Sequence, residues 1–290
     1  MTSSKNAHKN PDNNLNNNLK HSSKGKWLNI IMAASVILLL GTAFVAWQRA
    51  EAQIAYETLS QERAMQETTE TGVSTETSQF STIEASLNKT AGLEPKVSDS
   101  AYYFKENLNK EWLNINPDFM GWLRVPGTNI DYPYVRGGDN DYYLKRDFYG
   151  KYSEAGTLFM DYRNLGSFND QHTLIYGHNM KNKSMFHSLT YYHDFEFFEE
   201  NQVIELSGLY ETRTFKIFSV YEISADDYAF TLDFESSDQY QDYLEALNRL
   251  SLHSQKQAFT ADPGQKLLTL VTCSYGVNNG RTIVHAVEIK

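Results

Sequence analysis

Lys266-Leu267-Leu268-Thr269-Leu270-Val271-Thr272-Cys273-Ser274 and, after a polar loop, Gly280-Arg281-Thr282-Ile283-Val284-His285-Ala286-Val287-Glu288-Ile289 decide how this chain folds. Both stretches are rich in β-branched and aliphatic residues, and each is bounded by turn-forming residues. They are read as strands over Lys266–Ser274 and Thr282–Ile289. The first ends at the only cysteine of the chain and the second begins just after Arg281. Paired antiparallel, they would bring Cys273 and Arg281 to one end of a sheet.

Similar short runs precede them, at Trp122–Val125, Ile130–Val135, Thr157–Asp161, Thr173–Tyr176, Gln202–Ser207 and Thr212–Ile223. Pro126-Gly127, Gly156, Gly177 and Gly208 punctuate these runs. Many short strands without a βαβ alternation give a mainly β domain, an antiparallel or mixed barrel. Helices are expected over Glu106–Leu113, stopped before Asn116-Pro117, over Phe195–Glu200, and over Ser237–His253. In the last, Ser236 and Gln239 make a capping box. Tyr240, Tyr243, Leu244, Leu247 and Leu250 form its apolar, core-facing stripe.

The chain has 290 residues, with 26 basic against 36 acidic and a formal charge of −10. That length suits one domain plus appendages. No basic patch with interleaved aromatics appears, which argues against nucleic acid as a partner. Residues 1–26, rich in Asn, Lys and Ser, read as a disordered cytoplasmic tail. Residues 27–47, from Trp27 to Trp47, carry no charge and read as a transmembrane signal anchor. Lys5, Lys9, Lys20, Lys24 and Lys26 lie on its N-terminal side, which places the N-terminus in the cytoplasm and the rest outside a single-pass cell membrane span. A cleaved signal peptide is the rival reading, since Ala50 and Ala52 make a weak A-x-A pattern. Residues 48–97 read as an extracytoplasmic stalk, helical near Ile54, Tyr56 and Leu59, with no period strong enough to bury it. Residues 98–290 read as the outer globular domain.

An exported chain with one cysteine can make no internal disulfide. Cys273 is therefore either an inert small hydrophobe or a nucleophile. A nucleophilic thiol needs a proton-transfer partner. His178 follows the run Thr173-Leu174-Ile175-Tyr176 and Gly177, where a strand opens into a loop, whereas His172 sits at the far end of that strand. His187 and His193 fall in a polar helix or loop. Arg281 would favour thiolate and stabilise an oxyanion, or else serve as a surface ion-pair partner. A zinc site lacks a second cysteine or a compact carboxylate motif. No metal and no cofactor is expected.

Tyr176-Gly177-His178-Asn179, Thr269-Leu270-Val271-Thr272-Cys273 and Arg281 resemble the histidine motif, the TLxTC motif and the arginine of sortases. Gly121-Trp122-Leu123, Ile130-Asp131-Tyr132-Pro133, Asn140-Asp141-Tyr142-Tyr143-Leu144 and Phe159-Met160-Asp161 look like class B of that family. The resemblance covers residues 101–290. It implies a closed eight-stranded barrel with an N-terminal helix and a long helix before the penultimate strand. It also implies a cysteine transpeptidase that cuts a C-terminal sorting motif after its threonine and holds the product as a thioester on Cys273. The acyl group then passes to an amine of the cell wall or of a pilin. The implied partners are surface proteins or pilins bearing the sorting signal, with a peptidoglycan precursor or pilin amine as acceptor. Catalysis would fall to Cys273, His178 and Arg281, and substrate binding to Asn140, Leu144, Tyr176, Ser224, Tyr228 and Thr272. Val271 and Ser274 depart from residues seen in other members, beside the expected substrate. A thiol peptidase that only hydrolyses, and an anchored binding module with a structural cysteine, remain the competing readings.

Overall fold

The computed structural model describes residues 31–47, 50–51, 53–65, 109–224, 229–254, 264–273 and 280–289, with Cys273 described by its backbone. Eight strands follow the expected runs: β1 Phe119–Arg124, β2 Asp131–Val135, β3 Leu158–Met160, β4 His172–His178, β5 Val203–Ser207, β6 Thr212–Ser224, β7 Leu267–Cys273 and β8 Gly280–Ile289. They close into a barrel in the order β1-β2-β3-β4-β7-β8-β6-β5. Closure leaves no unpaired sheet edge. Two pairings are parallel, β2 with β3 and β4 with β7, and the others are antiparallel. Every residue of β4 is buried, as a parallel strand covered on both faces requires.

The helix over Ser237–Leu250 precedes β7 and lays Tyr240, Leu244 and Leu247 on Phe218, Leu267 and Val287 of the outer sheet face. Ser236 caps it by accepting from the Gln239 N–H, and the Gln239 side chain accepts from Glu235 N–H. The expected stripe ends early. Leu250 is exposed, and the helix gives way to extended backbone at Ser251, short of the expected His253. Lys110–Ile115 is helical, two residues further than expected, and ends at Asn116, whose extended backbone is what Pro117 demands. Residues 101–108, the expected start, lie outside the described residues.

The chain divides into two units, residues 1–51 and 52–290. In the first, residues 31–47 are helical, with Ile37, Leu38, Leu39 and Leu40 exposed. Among the described residues no helix is long and apolar enough to cross a membrane. Of the expected anchor, residues 27–30 lie outside the described residues, as do the tail over 1–26 and residues 66–97 of the stalk. In the second unit, residues 53–65 are helical and correct an expectation: Tyr56 and Leu59 are buried in the barrel core. Two apolar positions three residues apart make only one turn of a stripe, too little to show as a period. Polar groups complete the docking. Ser60 donates to Asp131 O, Arg63 donates to Ser207 Oγ, and its guanidinium lies over Trp122.

A buried chain of polar side chains ties four strands together at the end of β4 that carries His172. His172 Nδ1 lies 2.7 Å from Thr231 O, and its Nε2 lies 2.7 Å from Thr269 Oγ1. Thr269 Oγ1 lies 2.6 Å from His285 Nδ1, and His285 Nε2 lies 3.0 Å from Tyr221 Oη. A carbonyl only accepts, so His172 carries its proton on Nδ1 and takes one from Thr269 on Nε2. Thr269 then accepts from His285 Nδ1–H, and His285 Nε2 accepts from Tyr221 O–H. One neutral arrangement satisfies every link.

Burial holds both imidazoles neutral, with His172 pushed down to about 4 and His285 well below its ordinary value. Between pH ~6.5 and the folded value the unfolded chain binds protons that the folded chain refuses. Stability is therefore complete above that window and falls as pH drops through it, by about 3 kcal/mol for His172 alone. Denaturant unfolding at pH 7 and at pH 4.5 measures this, and equal stabilities would reject it. Thr269→Val strips a partner from both rings at once and is expected to cost about 2–5 kcal/mol at pH 7, read in the same titration.

Candidate active site

Strand pairing brings three of the sequence-selected residues to one end of the barrel. In the parallel ladder of β4 and β7, His178 lies opposite Cys273. On the other side of β7, Val271 pairs with Ile283 of β8. One residue beyond that register, Thr282 N–H still reaches β7 by donating to Thr272 Oγ1, so β7 and β8 run side by side at the end that carries Cys273 and Arg281. Arg281 in turn pairs with Ile223, and Gly280 with Ser224, at the end of β6. Neighbouring strands lie about 4.8 Å apart, and β7, which ends at Cys273, lies between the strands that carry His178 and Arg281. Each sits at or next to an end of its strand, and a strand end is where a side chain can reach a ligand without breaking the ladder.

His178 is almost fully buried. Its Nε2 lies 2.6 Å from the carbonyl oxygen of Leu144 and must donate to it. The neutral ring therefore keeps its proton on Nε2, and Nδ1 is its basic nitrogen. Leu144 belongs to a 3₁₀ turn, Tyr142–Lys145. That turn is held at its start by Asp139, which accepts from Asp141 N–H and Tyr142 N–H. These bonds also lower the Asp139 carboxyl below its ordinary range. Tyr143 anchors the turn from below, donating to Asp118 Oδ2 at 2.8 Å. Gly177 keeps the strand flush: a Cβ there would lie 2.4 Å from Leu158 Cδ2 and 2.8 Å from the Phe186 ring. Tyr176 and His178 consequently share the opposite face of β4.

Asn140 and Tyr176 are also brought together, through a residue that the sequence reading gave no role. Asp161 follows β3 directly and is fully buried. It accepts from Tyr176 O–H at 2.9 Å, from Asn140 Nδ2 at 3.2 Å, and from the Arg163 guanidinium at 2.8 and 2.9 Å. Burial alone would raise its carboxyl, but the bonds from Arg163 and Tyr176 outweigh burial and hold it below the ordinary carboxylate range. Tyr176 stacks on Phe159, with ring centroids 5.2 Å apart, and Asn140 Oδ1 accepts from Tyr162 N–H. An acid directly after an all-apolar strand and two residues before an arginine was the available signal.

The remaining candidates divide. Ser224 lies at the gathered strand ends. Leu144 contributes its carbonyl to His178. Thr272 is buried, and its hydroxyl accepts from Thr282 N–H of β8, which sets it in the sheet beside the site. Tyr228 lies outside the described residues. His172, set aside in the sequence, stands at the far end of β4 in the buried polar chain. His187 bonds Asn179 Oδ1, and His193 faces Glu222 at 3.6 Å.

Comparison with known proteins gives this arrangement its family. The Sortase domain family matches residues 123–289. Sortase B of Listeria monocytogenes is 35% identical over 159 residues, covering 55% of this chain and 64% of that protein. Sortase B of Staphylococcus aureus is 32% identical over 187 residues, covering 64% of this chain and 74% of that one. Among solved structures, sortase B of B. anthracis superposes with a TM-score of 0.59 at 38% identity, covering 63% of this chain and 84% of its own. The match spans all eight strands except the start of β1, including both strands whose ends meet at Cys273. The chain therefore belongs to the sortase family of cysteine transpeptidases, in its class B.

Proposed function

We propose that this chain cuts a C-terminal sorting motif after its threonine and transfers the acyl part to an amine of the cell wall or of a pilin. The observation that supports this most is the β4–β7 register, which sets His178 opposite Cys273. The Cys273 thiolate attacks the threonine carbonyl, and the resulting oxyanion is met by Arg281 and by backbone N–H groups near Cys273. As the C–N bond breaks, protonated His178 gives its proton to the leaving amine, and a thioester remains on Cys273. Neutral His178 then accepts the proton of the incoming amine as that amine displaces the thiolate. Asn140, Leu144, Tyr176, Ser224, Tyr228 and Thr272 form the substrate groove in this reading. Asp161 fixes the Asn140 and Tyr176 side chains before substrate arrives.

In the same reading residues 27–47 anchor the chain in the cell membrane. The N-terminus is cytoplasmic and the catalytic domain faces the cell surface, where sorting-signal proteins emerge. A chain that only hydrolyses would use the same thioester with water as acceptor. Mass spectrometry of products from a panel of threonine-containing pentapeptides, with and without triglycine, separates the two. Transfer predicts a triglycine adduct at the threonine carboxyl that grows with triglycine concentration. Free acid alone, at every concentration, would reject transfer.

A further inference from the structure

The helix over residues 53–65 reaches the catalytic histidine through one hydroxyl. Tyr56 is buried, and its Oη donates to Gly156 O at 2.5 Å while lying 3.2 Å from Thr157 Oγ1. Gly156 and Thr157 lie against the backbone that holds His178. Thr157 N–H donates to Tyr143 O, and Thr157 O–H donates to Arg146 O. Gly156 adopts a positive φ of 61°, and a Cβ there would stand 2.6 Å from Tyr143 O and 2.8 Å from Leu144 O. No side chain fits between these two stretches of backbone. The Leu144 carbonyl that such a Cβ would crowd is the one that receives the His178 Nε2 proton.

We propose that Tyr56 is a positioning residue for His178, acting through Gly156 and the Leu144 carbonyl, so that docking of the 53–65 helix sets the reactivity of Cys273. The hydroxyl clamps Gly156–Thr157 onto residues 143–146, and that clamp fixes the direction of the Leu144 carbonyl. With the clamp released, the carbonyl can turn away, and the imidazole loses the acceptor that selects its tautomer and orientation. The helix thereby couples the segment leading to the proposed membrane anchor to the chemistry. Ser60, one turn further on, bonds Asp131 O and not residues 143–157, so it belongs to the docking without belonging to the clamp.

This proposal rests on the assignment of His178 as the partner of Cys273, and the test tells the two apart. Cys273 is the only cysteine, so alkylation of the full chain by iodoacetamide reports on that thiol alone. The rate is measured from pH 5 to 9 for wild type, His178→Ala, Tyr56→Phe and Ser60→Ala, with thermal unfolding of each. Tyr56→Phe keeps the ring in the core and removes the clamp. It is expected to slow alkylation at pH 7 roughly three- to tenfold and to move the pH profile toward that of His178→Ala. Ser60→Ala is expected to keep the wild-type profile whatever it does to the unfolding temperature. A Tyr56→Phe profile identical to wild type, beside a displaced His178→Ala profile, overturns the role of Tyr56 and leaves His178 in place. Equal profiles for wild type and His178→Ala overturn both assignments. A Ser60→Ala shift as large as that of Tyr56→Phe reduces the effect to helix docking in general and overturns the clamp.

Discussion

Cys273→Ala is expected to leave no thioester detectable by intact-protein mass spectrometry, and His178→Ala to lower kcat/KM by roughly a hundred- to ten-thousand-fold. The two losses differ in kind. In the proposed mechanism, loss of the sulfur removes the nucleophile, and with one cysteine in the chain no second thiol can substitute for it. Loss of the imidazole keeps the thiol but, in that mechanism, leaves the leaving amine without a proton donor and the acceptor amine without a base. His178 also donates to the half-buried Leu144 O, so its removal takes one hydrogen bond from that carbonyl, a cost of about 1 kcal/mol. The barrel is held by strand pairing around its whole circumference and should stay folded at that cost. Circular dichroism and thermal unfolding of both variants check this. Near-normal turnover in a folded His178→Ala protein would remove His178 from the mechanism, and an acyl adduct on Cys273→Ala would remove Cys273.

The strands were legible because each is a short apolar run between turn residues, and the eight runs found in the sequence coincide with β1 to β8 within a few residues. The end of β7 and the start of β8 were equally legible, which is why Cys273 and Arg281 could be placed at one end of a sheet from residue types alone. The pairing of β4 with β7 was not. These strands lie far apart in the chain, and neither periodicity nor composition says which strands of a barrel become neighbours. That register carries the case for His178, which in the sequence rested on its place at a strand end and on the resemblance to a family. Tyr56 failed to show for another reason: its burial depends on a partner surface, Gly156 and Thr157, and a single turn of helix has no period to read. Asp161 was quoted as part of a motif, yet its role needs Asn140, Arg163 and Tyr176 to converge on one carboxylate. Convergence of that sort is a property of the folded chain.

Arg281→Ala is expected to lower kcat/KM by about a hundred- to a thousand-fold, with Arg281→Lys recovering only part of the loss. The backbone of Arg281 is fixed by its pairing with Ile223, and the next residue of β8 is tied to β7 by the Thr282 N–H to Thr272 Oγ1 bond. A side-chain change at this strand end therefore leaves the ladder intact, and the thermal midpoint should move little. Lysine keeps the positive charge. It gives up the planar fork that can meet an oxyanion and a neighbouring carbonyl together, so the two variants separate charge from shape. If attraction of thiolate by charge were the whole contribution, Arg281→Lys would match wild type in kcat/KM while Arg281→Ala stayed low. If geometry at the oxyanion matters, lysine falls between them, and its deficit appears in kcat rather than KM. Wild-type rates in Arg281→Ala would leave the guanidinium an ordinary surface group and return the oxyanion to backbone N–H donors alone.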